Sequence, residues 1–398
     1  GHWSRGNALG RDLPRAAVSV AGRGGLGGIE PPRTAIAMDK WPLLRRTGDI
    51  GPRCDSAFHG VNMPSTTQDA YMKRPPIFPP PQFPPVKLRA FQRMPPAVFP
   101  VIMGLFGLGL ALRRGAEAVG YPVAIAEIVL GAVSLLWVFA TLGYLAKVRL
   151  RRGVVMEDLA ILPGRTGLAA MSLGVWLLAA TLLPYSRLAA EALLYAGLAV
   201  HGGLAALIIL TLIRAPAEAR AVTPVWHLHF VGFIIAGLSA APLGLDALVS
   251  VIFWGTALIT AGLWGLSLVQ LIRRIPPAPL RPLLAIHLSP ACLLGSVAVL
   301  MDMRPVAVGF ALIGAGILLV LLLTARWVTE SGFSALWGAF TFPVAAYAAL
   351  LLSLGGAWVW LGVAVLTAAI GIVPAIALKV IQGWTKGTLA AKTNAATA

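Results

Sequence analysis

Nine stretches of the chain beyond residue 94 are nearly free of formal charge. Because a helix rises about 1.5 Å per residue, about 20 apolar residues cross the hydrocarbon core of a bilayer. The longest stretch therefore holds two helices, which we place on either side of Gly355 and Gly356. The pattern predicts ten transmembrane helices, and strands are excluded because the apolar residues do not alternate and open sheets cannot sit in lipid. The nine stretches are 95–112, 118–146, 166–186, 188–213, 221–245, 247–272, 282–301, 305–325 and 331–378.

Composition supports the same conclusion about the class of protein. Hydrophobic residues make up 58% of the chain and charged residues 12%, whereas a soluble protein carries about 25% charged residues. The mean hydropathy is +0.81. The two cysteines, Cys54 and Cys292, lie far apart and form no disulfide framework or metal box. We therefore expect an all-α integral membrane protein, not a soluble enzyme, a secreted disulfide scaffold or a zinc module.

The chain divides into three regions. Residues 1–94 are rich in Gly, Pro, Arg and Ser without apolar periodicity, so we expect this segment to be disordered. Its stretch 75–85 holds seven prolines and favours polyproline II, either as a spacer or as an SH3-type ligand. The membrane domain is predicted over 95–386, and the tail 387–398 is expected to be disordered. Met38 and Met63 are candidate start positions, since the sequence begins with Gly1.

Basic residues predict the orientation of the helices. With the N-terminus inside, nineteen Lys and Arg residues near or between the helices fall on the inner side and four on the outer side, as the positive-inside rule requires. Both termini are then cytoplasmic, and we expect a multi-pass protein of the plasma or inner membrane. The four outer residues are Arg113, Arg114, Arg187 and Arg304. The inner set is Lys73, Arg74, Lys87, Arg89, Arg93, Lys147, Arg149, Arg151, Arg152, Arg165, Arg214, Arg220, Arg273, Arg274, Arg281, Arg326, Lys379, Lys386 and Lys392.

Candidate chemistry within the helices is sparse. There is no His-Glu-x-x-His pair and no acidic cluster, so neither an enzyme, a metal site nor a cofactor is predicted. His227 and His229 are two residues apart and would point to opposite sides of a helix. Glu127 is the one acid of predicted helix 2, and it is either a proton carrier or a structural contact. His229 and His287 are the other candidate protonation sites.

Prolines and small residues suggest which helices form an inner layer. Pro100, Pro290 and Pro343 lie in predicted helices 1, 7 and 9. A proline removes an intrahelical hydrogen bond and kinks the helix, which is tolerated best beside a cavity. Gly104 permits close packing in predicted helix 1 and could leave space along an axis. We therefore expect odd-numbered helices around a pore, although ordinary use of proline in membrane helices is an alternative explanation.

Phe342 stands next to Pro343 among small residues. A bulky ring in a pore lined by small residues would block it and keep it dry, so that hydrated ions cannot pass until the ring moves. The alternative is that this ring only packs one helix against another. The shortage of acids in the spans and the basic inner loops favour anions over cations.

Several strings along the chain together resemble a known family. The strings are PPAVFPVIMGLFGLGLALR, YLAKVRL, RPLLAIHLSPACL and RWVTESGFSALWGAFTFP. They are similar to those of the tellurite-resistance/C4-dicarboxylate transporter family, which includes TehA-like proteins and plant slow-type anion channels. The resemblance covers about residues 95–386. Trp327 and Glu330 match its junction between helices 8 and 9.

The resemblance implies five helical hairpins around a quasi-fivefold central pore, and an assembly of three copies. It also implies that Phe342 is the ring that occludes the pore, and that Glu127 matches an acid of helix 2. The sequence departs from the family at His229, where the family tends to have a proline, and this position bears on the pore shape. Pro100, Gly104, Pro290, Pro343 and His229 are thus the expected pore kinks and lining.

Two functions remain open from the sequence. One is a gated channel or transporter for small inorganic or dicarboxylate anions, with malate transport, sulfite export and tellurite resistance implied by the resemblance. The other is a proton-coupled carrier for dicarboxylates or other anions, which would need a protonatable group in the translocation path. The expected partners are these anions and the lipid bilayer, with no nucleic acid.

Overall fold

The computed structural model describes residues 91–216 and 220–398. The predictions for residues 1–90, including disorder and the polyproline stretch 75–85, lie outside the described residues. So do Met38, Met63, Cys54 and the basic residues Lys73, Arg74, Lys87 and Arg89.

The described residues form helices and loops without a strand, which confirms the all-α prediction. Short 3-10 segments precede some of the α-helices. They are Pro96–Val98, Gly232–Ala236, Ala278–His287 and Ala335–Phe340. The α-helices are α1 (Phe99–Val119), α2 (Ala124–Leu150), α3 (Val154–Ala160), α4 (Leu162–Leu182), α5 (Arg187–Arg214), α6 (Gly237–Ala240), α7 (Asp246–Arg273), α8 (Leu288–Leu300), α9 (Arg304–Leu323), α10 (Ala325–Val328), α11 (Thr341–Leu354), α12 (Trp358–Thr385) and α13 (Thr388–Lys392).

Nine helical segments in the described ranges are long and apolar enough to cross a membrane. The predicted fifth helix, 221–245, is different. It is a shorter helical stretch, His227–Ala240, that changes from a π turn at His227–Val231 to a 3-10 segment and then to α6. We call it the broken segment. Nine of the ten predicted spans are therefore long apolar helices in the described residues. The remaining one, predicted helix 5, is this irregular stretch.

Burial separates the helices into two layers. In four segments, between 61% and 83% of an apolar stretch of 18 residues is buried inside the protein. These segments are Pro96–Val119, Leu162–Leu182, Ala278–Leu300 and Ala335–Leu354. The other five long helices, α2, α5, α7, α9 and α12, have between 17% and 33% buried. The inner layer thus includes predicted helices 1, 3, 7 and 9, and three of these hold the prolines that indicated it.

The inner segments close a ring. Around it, α1 packs against α4, α4 against the broken segment, the broken segment against α8, α8 against α11, and α11 against α1. Each inner segment also packs against the outer helix that follows it, namely α2, α5, α7, α9 and α12. These contacts agree with five hairpins, while the quasi-fivefold symmetry stays a prediction.

The three prolines each lie where 3-10 geometry changes to α geometry. Pro100 is in the first turn of α1, after Pro96–Val98. Pro290 is the third residue of α8 and Pro343 is the third residue of α11, and both helices follow 3-10 segments. A proline is well tolerated in the first turn of a helix, because its missing N–H has no intrahelical partner there. Two other prolines lie inside helical segments, Pro374 in α12 and Pro282 in the 3-10 segment Ala278–His287.

Residues on both sides of the predicted membrane domain 95–386 contact that domain. Residues 91–94 belong to the folded part, since Met94 is buried and Phe91 packs against Phe139 with ring centroids 5.6 Å apart. The tail 387–398 contains α13, and the backbone N–H of Ala396 donates to Asp158 Oδ1 at 2.9 Å. Hydrogen bonds to buried groups hold this tail in place, and tail composition alone does not reveal them.

Candidate functional site

A wide cavity of about 560 Å³ opens among the C-terminal ends of the inner segments. All five members of the ring contribute to its wall. Most of the lining side chains are apolar, and the charged ones are Arg113, Arg114 and Glu117 of α1. The lining also includes one or two residues from each inner segment, namely Gly107, Leu177, Leu238, Leu293, Phe342 and Ala346.

A narrow pocket of about 40 Å³ lies at the N-terminal ends of the same segments. Its wall is formed by apolar residues with two hydroxyls, those of Thr166 and Ser289. Pro100 and Pro343 line this pocket. The wide cavity and the narrow pocket share one lining residue, Phe342.

The Phe342 side chain is therefore at the boundary between the two spaces. It is 5% exposed. A Cβ added at Gly107 of α1 would meet the Phe342 ring at 3.0 Å, so glycine at position 107 leaves the room that this ring occupies. Phe340 has a different environment, because it is half-buried and packs edge-on against Trp337 with centroids 5.7 Å apart.

The remaining predicted pore residues are spread along the inner layer. Gly104 allows α1 to contact Thr341 of the 3-10/α junction, since any Cβ at Gly104 would clash with the Thr341 hydroxyl. Pro290 lines a small third pocket of about 20 Å³ together with His227 and Met103. His229 is fully buried and is absent from the walls of all three cavities named here. Pro100 and Pro343 thus border the narrow pocket, and Gly104 and His229 lie behind the walls.

Arg113 is a buried ion-pair partner that the sequence placed only among outer basic residues. Its guanidinium donates to both carboxylate oxygens of Glu127, at 2.7 and 2.8 Å. It also donates to the carbonyls of Ala180 and Thr181 in α4. The Tyr185 hydroxyl donates to the same carboxylate, and this bond raises the pKa of Tyr185. The Glu127 carboxylate thus links α1, α2 and the α4–α5 turn through these hydrogen bonds.

Basic residues at the other end of the ring are also paired. Lys147 donates to Asp158 Oδ2 at 2.7 Å with both side chains fully buried. Arg151 pairs with Glu157, which lowers the pKa of that carboxyl. Arg281 pairs with Glu330 and stacks on the Trp327 ring at 4.4 Å. The inner basic set predicted from the sequence is thus partly neutralised by nearby acids.

The histidines gather around the broken segment. His227 Nε2 and His287 Nδ1 lie 2.9 Å apart and share one hydrogen bond across two inner segments. His201 of α5 is held between Ser172 Oγ at 2.8 Å and the His229 carbonyl at 3.1 Å. His229 Nδ1 and Nε2 have no hydrogen-bond partner within the described structure. His227 lines the small third pocket, whereas the His229 ring lines none of the three cavities, in agreement with the sequence argument that the two side chains face apart.

The described residues contain no group of three or more His, Cys, Asp or Glu side chains that could hold a metal ion.

The sequence missed Arg113 and the Lys147–Asp158 pair as buried groups. A basic residue at a span end, such as Lys147, with an acid eleven residues later was the available signal. Sequence distance alone could not show that both side chains turn inward.

A search of curated proteins found no match to this chain. A family model described as a voltage-dependent anion channel, SLAC1, matches residues 93–381. This range contains the whole ring of inner segments, Phe342 and the outer helices except the last four residues of α12. The match agrees with the resemblance seen in the strings of the sequence and with the all-α membrane architecture. The chain therefore belongs to the SLAC1 family of voltage-dependent anion channels, and is a multi-pass membrane protein of anion transport.

Proposed function

We propose that the chain forms a pore for small anions that the Phe342 ring closes. The observation that carries this proposal is that Phe342, alone among the described residues, borders both the wide cavity and the narrow pocket. The two spaces lie at opposite ends of the same inner segments. Removing one ring would therefore join them along the axis of the ring of helices.

The character of the walls supports a gate that works by excluding water. The narrow pocket is lined almost wholly by apolar side chains. An ion would lose hydration there without receiving compensating polar contacts, so a dry constriction is a barrier until the ring moves. Small neighbours, Gly107 and Ala346, leave space beside the ring in the wide cavity.

The charged residues that line the wide cavity form ion pairs. Two arginines and one glutamate are among its lining residues, and the low-dielectric wall strengthens their field. Glu127, the acid of α2, is neutralised by Arg113. Arg114 is likewise paired with Glu117, so these four groups carry no net charge, and the preference for anions rests on the family match.

Phe342→Ala is the direct test, measured as anion current across a planar bilayer holding the purified protein. If the ring closes the pore, the variant folds normally and its conductance rises clearly above that of the wild type. If the ring is only a packing residue, Phe342→Ala loses about 3–5 kcal/mol of stability with no rise in conductance. Reversal potentials under a salt gradient report the selectivity between anions and cations. A reversal potential near the equilibrium potential of the cation would reject an anion pore.

Phe340→Ala is the matched control. It removes the same ring from the same junction, but Phe340 packs against Trp337 and borders neither space. Its conductance should equal that of the wild type. A leak from Phe340→Ala without one from Phe342→Ala would mean that the wrong ring has been assigned.

A proton-coupled anion carrier is the second candidate. The observation that favours it is the His227–His287 hydrogen bond, since each ring of this buried pair also has an unpartnered nitrogen in the described structure. His227 lines the small third pocket, which shares Met103 and Ser289 with the narrow pocket. Uptake that needs a proton gradient, without channel current, would favour the carrier.

The identity of the transported anions is also proposed. Dicarboxylates such as malate, sulfite and tellurite follow from the resemblance of the sequence, as do an assembly of three copies and a plasma or inner membrane location. Block or competition of chloride current by each anion in the bilayer assay measures which of them enters the pore.

A further inference from the structure

The narrow pocket at the N-terminal ends of the inner segments offers few polar groups. None of the described residues that line it is charged, and its two hydroxyls belong to Thr166 of α4 and Ser289 of α8. The space measures about 40 Å³, and about 10–15 Å³ is enough for one water molecule. A small anion therefore fits there with few of its hydration waters. Such an ion needs hydrogen-bond donors from the wall.

The Thr166 hydroxyl is already used within its own helix. Its Oγ1 donates to the carbonyl of Leu162 at 2.7 Å. A hydroxyl has one proton to donate, so this oxygen presents only lone pairs to the pocket, and lone pairs repel an anion. Thr166 thus lines the pocket without being a donor for what the pocket contains.

The Ser289 hydroxyl is different, because it has no hydrogen bond with another described residue. A serine or threonine in a helix can donate to the carbonyl four positions earlier, as Thr166 does. At Ser289 that carbonyl belongs to Ala285 in the 3-10 segment, where it accepts from the backbone N–H of Leu288. Ser289 is half-buried and lines the pocket, so its proton is available to an occupant.

Ser289 also lies close to the proposed gate. It is the second residue of α8, and α8 packs against α11, which carries Phe342. Ser289 and Phe342 line the same narrow pocket. Because this pocket is so small, an anion held in it lies beside both the ring and the free hydroxyl.

We propose that the Ser289 hydroxyl donates a hydrogen bond to an anion in the narrow pocket and so sets which anions the pore prefers. The inference rests on the proposed function, since it needs the pocket to be part of the anion path. Electrostatic attraction weakens as the distance between charge and donor grows. A small halide such as chloride therefore gains more from this donor than the larger iodide, and Ser289 favours chloride relative to a wall without the hydroxyl.

The ratio of chloride to iodide transport tests this role. The probes are radiolabelled chloride and iodide, measured as uptake into proteoliposomes that hold the purified full-length protein, with either the wild-type sequence or Phe342→Ala. A hydrogen bond to a charged group corresponds to about tenfold in affinity, and the difference between two halides is a part of that, so Ser289→Ala should lower the chloride-to-iodide ratio by about three- to tenfold. Ser289→Thr keeps the hydroxyl, and its ratio should stay within about twofold of that of the parent protein.

Thr166→Val is the matched control, because it removes a hydroxyl from the same pocket whose proton is bonded to Leu162. Its chloride-to-iodide ratio should equal that of the parent protein. Ser289→Cys separates the lost donor from a widened pocket, since a thiol keeps the bulk of the side chain but is a weak donor. This variant should lower the ratio as Ser289→Ala does, and it also serves where Ser289→Ala does not give folded protein. A ratio lowered by Ser289→Ala but not by Ser289→Cys would assign the effect to pore width and overturn the inference.

The outcomes distinguish this inference from the gate. Transport of both halides with an unchanged ratio in the Ser289 variants would overturn the role of Ser289 and leave the pore standing. Equal changes from Thr166→Val and Ser289→Ala would also overturn it, because the free proton would then not matter. Absence of halide transport by both the wild type and Phe342→Ala would reject the proposed function, and the role of Ser289 with it.

Discussion

The Lys147–Asp158 pair is the most buried ion pair among the described residues. Both side chains are fully shielded from solvent. Lys147 also donates to the Met94 carbonyl at 3.0 Å, and Asp158 accepts from the Tyr144 hydroxyl and the Ala396 backbone N–H. These bonds tie the start of the first span to α2, α3 and the tail. Their physical role is mutual compensation, because either charge alone would be strongly penalised in this environment.

Asp158→Asn should destabilise the protein by about 3–5 kcal/mol, because it leaves the Lys147 charge buried without a counter-ion. The measurement is the free energy of unfolding in detergent. Glu157→Gln is the control, since the Arg151–Glu157 pair next to it is exposed and its loss should change stability little.

The double variant Lys147→Met with Asp158→Leu gives a further check. It removes both charges and fills similar volume, so it should recover most of the stability lost in Asp158→Asn. A double variant as unstable as Asp158→Asn would show that the hydrogen bonds to Met94 and Ala396, rather than charge compensation, carry the stabilisation.

At the scale of the elements, tryptophans pack into glycines of the next helix. The Trp137 indole of α2 fills the space above Gly174 of α4, and its N–H donates to the Met171 carbonyl at 3.2 Å. Trp176 of α4 does the same at Gly197 of α5, where its N–H donates to the Leu194 carbonyl at 3.0 Å. A glycine at each contact permits close approach of neighbouring helices. The repeated arrangement fixes α2, α4 and α5 relative to one another.

Gly197→Ala should therefore destabilise the protein by about 1–3 kcal/mol, because the new methyl group overlaps the Trp176 indole. Gly203→Ala in the same helix is the matched control. A Cβ there meets nothing within 4 Å, and alanine is the better helix former by up to about 1 kcal/mol. Thermal unfolding midpoints in detergent should fall for the first variant and stay equal or rise for the second. Equal midpoints for both variants would contradict the proposed packing.

At the scale of the whole molecule, one end of the helical layers is distinguished from the other. The start of the first span, α3 and the C-terminal tail meet at one end, as the Ala398–Gln92 and Ala396–Asp158 hydrogen bonds show. The wide cavity lies at the opposite end. Together with the excess of basic residues, this arrangement favours a cytoplasmic position for the end that carries the tail.

Reporter fusions after Gly244 and after Lys392 test the orientation in cells. Gly244 lies in the turn before α7 and Lys392 ends α13. The Gly244 reporter should be active on the outer side and the Lys392 reporter on the inner side. Activity of both reporters on the same side would contradict the topology.

Much of the architecture follows from hydropathy, because a bilayer rewards apolar length directly. The charge-free stretches predicted the long helices, and the prolines at positions 100, 290 and 343 indicated the inner layer. The broken segment was the main departure. Its residues are apolar enough for a span, but Gly232 lies so close to Leu173 that an added Cβ would be 2.7 Å away. The segment packs against α4, α5 and α7 with π and 3-10 turns in place of a regular α-helix.

The sequence by itself determined the helical class, the membrane environment and the family resemblance, since each depends on residue type and order along the chain. The tertiary structure decided which charges are free. Arg113 reaches carbonyls that lie 67 and 68 positions away. Lys147 is neutralised by Asp158, whereas Arg114 pairs with Glu117 on its own helix. It also placed Phe342 between two cavities and His229 behind their walls. Such properties depend on distances between side chains remote in sequence, and only the packing of the helices sets those distances.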